Sequence, residues 1–525
     1  MNLTLTRWKV FVIVFLLWAG IYLPSLGSPE FKGEEGRRVL PAVTMLETGN
    51  WIVPSVGGED YYNKPPGINW LVAISFWVTG SHSELAARLP SVLSVLLFVS
   101  LLVWAPCGWL SLSGRLISAI IFLTNISMVE KGRLIEIEAV YVSLTGIATL
   151  WWLSVWSSNG SKWSLWIVPS LVLGFGMLVK GPFILLFFYG AVTATLVYCK
   201  RFRALFSIQH ILGVSIILVM SLGWAYLAYQ RTEGSRMTAQ ITSEVLIHSV
   251  EKLDLARYGL TIVRAFGNFL PWLIFVPALF QKRLTSRVEQ QHTALFKGCR
   301  LGLIISFILI NLMPAGQSRY SLPALALASI LLGWVLSLHS GFVRTDRVWR
   351  NVLLGCFFVS CLSAIAGLIV VTRGAGAIIV SAVTVCTAVI ILRGRLLVNN
   401  VVRLSAVTAI LTMVVMLQYA VFGVPIIKEH QRRRPAAQVV NKMVPAGETV
   451  YVYRPGYQAF LFYVRPPLRY ALTPDEVDSN VRYLLLEDEY LQMLKDEADI
   501  SSRSIQVLHK FSDDIKGEYR LVHLE

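Results

Sequence analysis

Carboxylates and cations come from five separate segments of a chain that is otherwise largely apolar. Glu34 and Glu35 stand beside Arg37 and Arg38, and Tyr61, Tyr62 and Lys64 precede Pro65-Pro66. Glu136 and Glu138 open an apolar run, Lys180 lies in 178-LVKGP-182, and Arg319-Tyr320 lies in 314-PAGQSRYSLP-323. A carboxylate can accept a proton from a hydroxyl or orient it by hydrogen bonding. Lysine, arginine and tyrosine can hold phosphate oxygens by charge or by donated hydrogen bonds. Together these groups suit a phosphorylated amphiphile that keeps its tail in lipid and presents its headgroup to water. Paired loop charges with no ligand are the competing reading of the same residues.

Other chemistries have less support. The glycines form no phosphate-binding loop of Walker type, and neither H-E-x-x-H nor G-x-S-x-G occurs. His248 stands alone in its loop and reads as a surface histidine. Spacing of the C-x-x-C type is absent, and none of the six cysteines falls in a stretch expected outside the membrane, so no external disulfide is expected.

The elements that must position these groups are membrane helices. The chain is 55% hydrophobic and 15% charged, with 16 Trp among 525 residues and a mean hydropathy of +0.61. Apolar runs long enough to span a bilayer recur about thirteen times, which predicts a polytopic α-helical membrane protein. The runs are 8–26, 85–105, 114–129, 139–156, 164–179, 182–198, 208–229, 260–280, 301–315, 320–338, 349–371, 376–392 and 402–423. The first has a basic flank like a signal peptide but no small-residue cleavage site, and it reads as an uncleaved span.

A net charge of +16 could point to nucleic acid, but the basic residues sit in alternate short loops, as the positive-inside rule expects of cytoplasmic ones. Nucleic acid is therefore not an expected partner. This topology places the N-terminus inside. Of the 31 acidic residues, only Glu289 and Asp346 then fall in cytoplasmic loops. The five clusters converge on one outer face.

Residues 1–423 read as a transmembrane domain, with 28–84 as an external catalytic loop. Within that loop, 34–48 places Val39, Val43 and Leu46 on one face of an interfacial helix, and 66–79 is apolar but short for a span. Residues 424–525 change composition. Beta-prone runs at 449–453, 459–464, 482–487 and 519–524, a helical 488–500 and the turn 454-RPGY-457 predict a small C-terminal α/β soluble domain. An odd number of spans puts that domain outside, against the contrary signal of 432-RRR-434.

One ordered block of motifs is more specific than any single feature. The series E-E-G-R, M-L-E-T-G-N-W-I-V-P, Y-Y-N-K-P-P, A-A-R-L-P-S, L-V-K-G-P and S-R-Y-S-L-P resembles the bacterial polyprenyl-phosphate-sugar glycosyltransferases. These have the GT-C fold and include the aminoarabinose transferase of lipid A and relatives of the protein O-mannosyltransferases. The match is densest over 28–95 and recurs to about residue 330. The family usually has Asp-Glu-x-Arg-Tyr where this chain has Glu34-Glu35-Gly36-Arg37-Arg38.

The resemblance implies that Glu34 is the first-loop catalytic carboxylate, with Glu35 and Arg37 in support, and that Glu138 is the second. It also implies that Lys64 contacts the donor phosphate near Tyr61, that Arg319-Tyr320 matches the late Arg-Tyr, and that Lys252 stands where an arginine is expected. Lys180 joins the donor-binding group from its place in the outer turn. The aminoarabinose transferases can bind zinc through a Glu before that Lys and a later His. Here the first position is Asn63 and His248 is offset, so no metal or other cofactor is predicted.

The expected activity is inverting transfer of a sugar from a polyprenyl-phosphate donor to a lipid, glycan or protein acceptor. The expected site is the outer, periplasmic face of a bacterial inner membrane. The alternatives are a flippase or transporter of lipid-linked sugars and a catalytically inactive lipid-binding relative. A transporter would need ionisable residues along a path through the spans, and here they stop at one face. Which sugar and which acceptor are used is not encoded in any motif.

Overall fold

The computed structural model describes residues 5–231, 255–313, 316–338, 343–371, 374–393, 400–478, 480–497, 503–511 and 518–525. The chain forms two compact units. One contains Met1–Leu26, Asn63–Gly67 and Leu89–Pro425, and the other contains Gly27–Tyr62, Ile68–Arg88 and Ile426–Glu525.

The first unit is helical. All thirteen apolar runs contain helix, including α1 (Arg7–Tyr22), the helix Glu84–Trp104 (α4), α5 (Leu112–Leu123), α7 (Ile137–Ser157), α8 (Lys162–Lys180), α9 (Phe183–Tyr198) and α10 (Ile208–Arg231). Among the described residues, eight helices are long and apolar enough to cross a membrane. The number becomes nine if Tyr258–Gly267 and Trp272–Phe280, bent by 91°, are one span. The difference from about thirteen has a simple origin. The helices α1, α5 and α9 and the helix Ala324–Ser337 have 16, 12, 16 and 14 residues. At about 1.5 Å per residue they fall short of a hydrocarbon core about 30 Å thick.

Small residues bring these helices close. Gly298, Gly302 and Ser306 form a stripe on the helix Lys282–Asn311 against Gly190, Ala191 and Thr195 of α9. The backbones touch where side chains would otherwise intervene, as in other membrane helix pairs. Arg115 ties the end of α4 to α5 by donating to the carbonyls of Val103, Ala105, Cys107 and Leu110 at 2.6–3.1 Å. This satisfies orphan carbonyls at a helix end that burial would otherwise penalise.

The second unit joins the first-loop residues to the C-terminal segment. A 3-10 turn, Gly33–Glu35, leads into α2 (Gly36–Thr48), and the strands β1 (Ser55–Val56) and β2 (Glu59–Asp60) pair antiparallel. The buried positions of α2 are Gly36 and Arg38 to Ala42, then Met45. Val39 is among them, but Val43 and Leu46 are only half-buried, so the buried face of α2 runs through Val39, Ala42 and Met45 instead. The apolar stretch after Pro66 forms α3 (Gly67–Thr79), which leaves Ile74, Trp77 and Val78 exposed.

The C-terminal residues build a five-stranded sheet in the order β4-β3-β5-β7-β6. Its strands are β3 (Val450–Tyr453), β4 (Leu468–Ala471), β5 (Tyr483–Glu487), β6 (Ile505–Phe511) and β7 (Tyr519–Leu524). β3 runs parallel to β4 and β5, and β7 runs antiparallel to β5 and β6. Three expected strands are present. The fourth, 459–464, is instead the 3-10 helix Ala459–Tyr463. Its Phe460 packs on Phe511 and Tyr519 of the sheet, while Phe462 lies 4.8 Å from Phe31 and 6.1 Å from Phe76. Tertiary aromatic packing here overrides β-propensity.

Close approach in the first unit yields a testable constraint. A Cβ at Gly67 would lie 2.7 Å from the Leu178 carbonyl oxygen and 3.0 Å from Val179 Cγ2, so backbone has to move. Gly67→Ala is expected to destabilise the protein by about 1–3 kcal/mol, as overpacking does. Thermal unfolding in detergent measures this, and an unchanged midpoint would show that the segment yields freely.

Candidate active site

In the membrane unit, the start of α7 and the end of α8 meet through charge. Glu136 caps α7 with extended backbone and pairs with Lys131 at 2.9 Å. Glu138 follows in the first helical turn, where the helix dipole favours an anion. Its Oε1 lies 3.0 Å from Lys180 Nζ and 3.7 Å from Arg319 Nε. Glu138 and Lys180 are both buried, whereas Arg319 is 41% exposed. Among the described residues, the Glu138 carboxylate thus faces two cations.

Aromatic rings and a pinned turn hold this group in shape. Lys180 Nζ lies 5.6 Å from the centroid of Tyr141 and 5.2 Å from that of Tyr320. The Tyr141 hydroxyl donates to the Gly181 carbonyl at 2.8 Å, fixing the turn after Lys180. Tyr320 sits in the 3-10 turn Ser318–Ser321 and packs on Phe183. Asn268 secures that turn by donating to Ser318 O at 2.7 Å and to Ser321 Oγ at 3.2 Å. Lys64 belongs to the Asn63–Gly67 segment of this same unit, which packs on Leu178 and Val179, just before Lys180.

In the other unit, the two adjacent first-loop carboxylates have different surroundings. Glu35 is fully buried and forms a bidentate pair with Arg88, both nitrogens at 2.9 Å. Arg88 also donates to the carbonyls of Pro29 and Glu30, and the Glu35 carboxylate accepts from the Lys32 N–H at 3.0 Å. Glu34 remains 37% exposed. Its oxygens accept from Arg37 Nη1 at 3.2 and 3.4 Å, and Arg38 Nη2 lies 3.8 Å away. Arg38 is buried, with no hydrogen-bond partner for Nε or Nη1. Tyr61 is half-buried, its N–H bound to the Pro54 carbonyl.

A further charged group in this unit ties the first loop to the C-terminal segment. Glu30 accepts from the N–H groups of Arg433 and Arg434 at 3.1 and 2.8 Å. Arg434 pairs with Glu84, which also accepts from the Tyr463 hydroxyl at 2.8 Å. Burial, reinforced by the Glu84 charge, raises the Tyr463 hydroxyl pKa well above its ordinary value.

Sequence reasoning named most of these residues. Glu138, Lys180, Arg319 and Tyr320 come together in one unit, and Glu34, Glu35 and Arg37 in the other. Lys252 and His248 lie outside the described residues. Asn63 offers only an amide where a zinc site would want a carboxylate, so no metal step is derived. Arg88 and Tyr141 were not anticipated as site residues. Tyr141 could have been found from its i+3 spacing to Glu138, and Arg88 from its place in A-A-R-L-P-S.

Comparison with known proteins places this geometry. A family model described as dolichyl-phosphate-mannose-protein mannosyltransferase matches residues 63–226. The undecaprenyl phosphate-alpha-4-amino-4-deoxy-L-arabinose arabinosyl transferase of Erwinia tasmaniensis is 25% identical over 339 residues, or 62% of this chain and 59% of that protein. Its counterpart from Edwardsiella ictaluri is 26% identical over 360 residues, or 66% and 63%. These matches therefore span about three-fifths of the relatives' length.

The crystal structure of apo ArnT from Cupriavidus metallidurans aligns with a TM-score of 0.68 at 19% identity, covering 98% of this chain and 97% of that one. The chain therefore shares the fold of this ArnT. The same ArnT bound to undecaprenyl phosphate aligns equally well, with a TM-score of 0.68 at 20% identity. Fold likeness extends through the C-terminal segment of this chain, whereas the matched family model ends at residue 226.

The buried pair makes a direct prediction. Arg88→Leu leaves the Glu35 charge buried and uncompensated, and should destabilise the protein by about 3–5 kcal/mol. Arg37→Gln, at a half-exposed pair, should cost about 1 kcal/mol or less. Chemical or thermal unfolding of both variants in detergent tests the ranking, and a larger loss for Arg37→Gln would reverse the assignment.

Proposed function

We propose that this protein is a membrane glycosyltransferase that moves a sugar from a polyprenyl-phosphate donor to an acceptor at the periplasmic face of a bacterial plasma membrane. The observation that carries the reading is the Glu138–Lys180–Arg319 group in a membrane unit. Ionisable groups there are costly and are kept for function, and lysine and arginine side chains suit an anionic headgroup. The names of the matched relatives, which specify undecaprenyl phosphate as carrier, support the same donor class.

In this reading Lys64, Lys180, Arg319 and Tyr320, joined by Lys252, hold the donor phosphate. Glu138 acts as the counter-ion that orients Lys180 and Arg319. Tyr61 is assigned to substrate binding. Glu34, supported by Glu35 and Arg37, orients the acceptor hydroxyl and accepts its proton. The acceptor oxygen attacks the anomeric carbon opposite the phosphate. A new C–O bond forms as the old one breaks, its electron pair leaves with the polyprenyl phosphate, and the configuration inverts. Positive charge at the leaving phosphate stabilises the charge that develops there. With an acceptor that is itself a phosphate, already ionised, the role of Glu34 is positioning alone. The acceptor class is a lipid, glycan or protein.

The proposed organisation has about thirteen crossings. Residues 1–423 form the catalytic membrane domain, 28–84 its external loop, and 424–525 an external α/β domain.

The test follows release of free polyprenyl phosphate from a panel of lipid-linked sugars, with membrane lipid and glycan extract as the acceptor source. Glu34→Gln should lower release by about 10²–10⁴-fold, the range for loss of a general base, with melting unchanged. Full activity in Glu34→Gln would contradict the role given to that residue, and absence of release by the wild type from every donor would contradict the function.

A further inference from the structure

The turn 454-RPGY-457 has no part in the function derived so far, yet it is built with care and lies against the first loop. Arg454 and Gly456 have left-handed backbone, with φ of 44° and 56°. The buried Tyr519 hydroxyl of β7 donates to the Pro455 carbonyl at 3.2 Å, and Arg454 Nε donates to the Leu472 carbonyl at 2.6 Å. The first two residues of the turn are thereby tied to β7 and to the residue after β4. Its last residue, Tyr457, stacks on Arg37, with the guanidinium carbon 3.8 Å from the ring centroid.

The neighbouring backbone is equally close. A Cβ on Gly36 would lie 2.9 Å from the Tyr457 carbonyl oxygen and 3.2 Å from Ala459 Cβ. Glycine at the third position of Glu34-Glu35-Gly36-Arg37 therefore lets the C-terminal turn rest directly on the start of α2.

We propose that Tyr457 is a positioning residue for Glu34, acting through Arg37. The ring holds the guanidinium plane by cation–π stacking, and that guanidinium holds both oxygens of the Glu34 carboxylate. The C-terminal segment thus sets the orientation of the first-loop carboxylate without touching substrate. The inference rests on the reading of Glu34 as the acceptor-side carboxylate. An arginine released from its ring regains rotamer freedom, and a loosely held reacting group can lose about 10²-fold in rate.

The experiment combines kinetics with a readout that needs no activity. Tyr457→Leu should lower kcat about 10–100-fold with the donor KM unchanged, while Tyr457→Phe, which keeps the ring, stays near wild type. Arg37→Gln should show a similar loss, and adding Tyr457→Leu to it should change little further. In parallel, phenylglyoxal labelling of Arg37, quantified by mass spectrometry, should be several-fold faster in Tyr457→Leu than in the wild type or Tyr457→Phe. Should Tyr457→Leu melt early, Arg37→Lys tests the same link, because it keeps the charge and loses the planar stack. Its kcat should fall at constant donor KM.

Unchanged kcat and unchanged labelling in a folded Tyr457→Leu protein would overturn the proposal. So would a wild-type kcat in Arg37→Lys. Faster labelling of Arg37 in a protein that transfers no sugar from any donor would uphold the stacking link and overturn the functional reading instead.

Discussion

A charge persists in apolar surroundings only when an opposite charge or a set of hydrogen bonds stands beside it. Both units of this protein are organised around that constraint. In the membrane unit it couples Glu138 at the start of one helix to Lys180 at the end of the next and to Arg319 in a later turn. In the other unit it couples Glu35 to Arg88 in a fully buried fork. Neither pair has to supply much net stability, since desolvation offsets most of the attraction. What each supplies is a single permitted geometry, because breaking it leaves a bare charge behind.

The same constraint separates roles within adjacent residues. Glu35 spends both oxygens on Arg88 and the Lys32 N–H, which leaves it nothing to offer a substrate. Glu34 stays partly exposed and is held by a half-exposed arginine. Similarly, Glu138 is enclosed by its cations, while Arg319 reaches solvent. A carboxylate enclosed in this way aligns cations better than it abstracts protons, which is why Glu34, and not Glu138, receives the base role here.

Much of this was legible in the sequence, and the reasons differ by element. Apolar runs announce helices reliably because every backbone group in lipid has to be satisfied within the segment. Their count as spans is less legible, since runs such as 114–129 and 320–338 contain helices of only 12 and 14 residues. Glu138, Lys180 and Arg319 stood out because charge beside apolar runs is conspicuous. Arg88 did not, for an arginine reads alike on a surface or in a buried fork. Strand propensity found β3, β5 and β7 but misjudged 459–464, where Phe462 answers to Phe31 and not to a neighbouring strand. The stacking of Tyr457 on Arg37 joins residues 420 positions apart, and no local pattern encodes it.

The central claim is that the cations of the membrane unit recognise the phosphate of a polyprenyl carrier. Its most direct test is binding of bare polyprenyl phosphate, without a sugar, to the purified protein in nanodiscs, followed by native mass spectrometry or phosphorus NMR. The account predicts saturable binding that weakens at least tenfold in Lys64→Met and in Lys180→Met, while an uncharged polyprenol of the same length binds poorly to all three proteins. Equal binding of phosphate and alcohol, or undiminished phosphate binding in both variants, would contradict it.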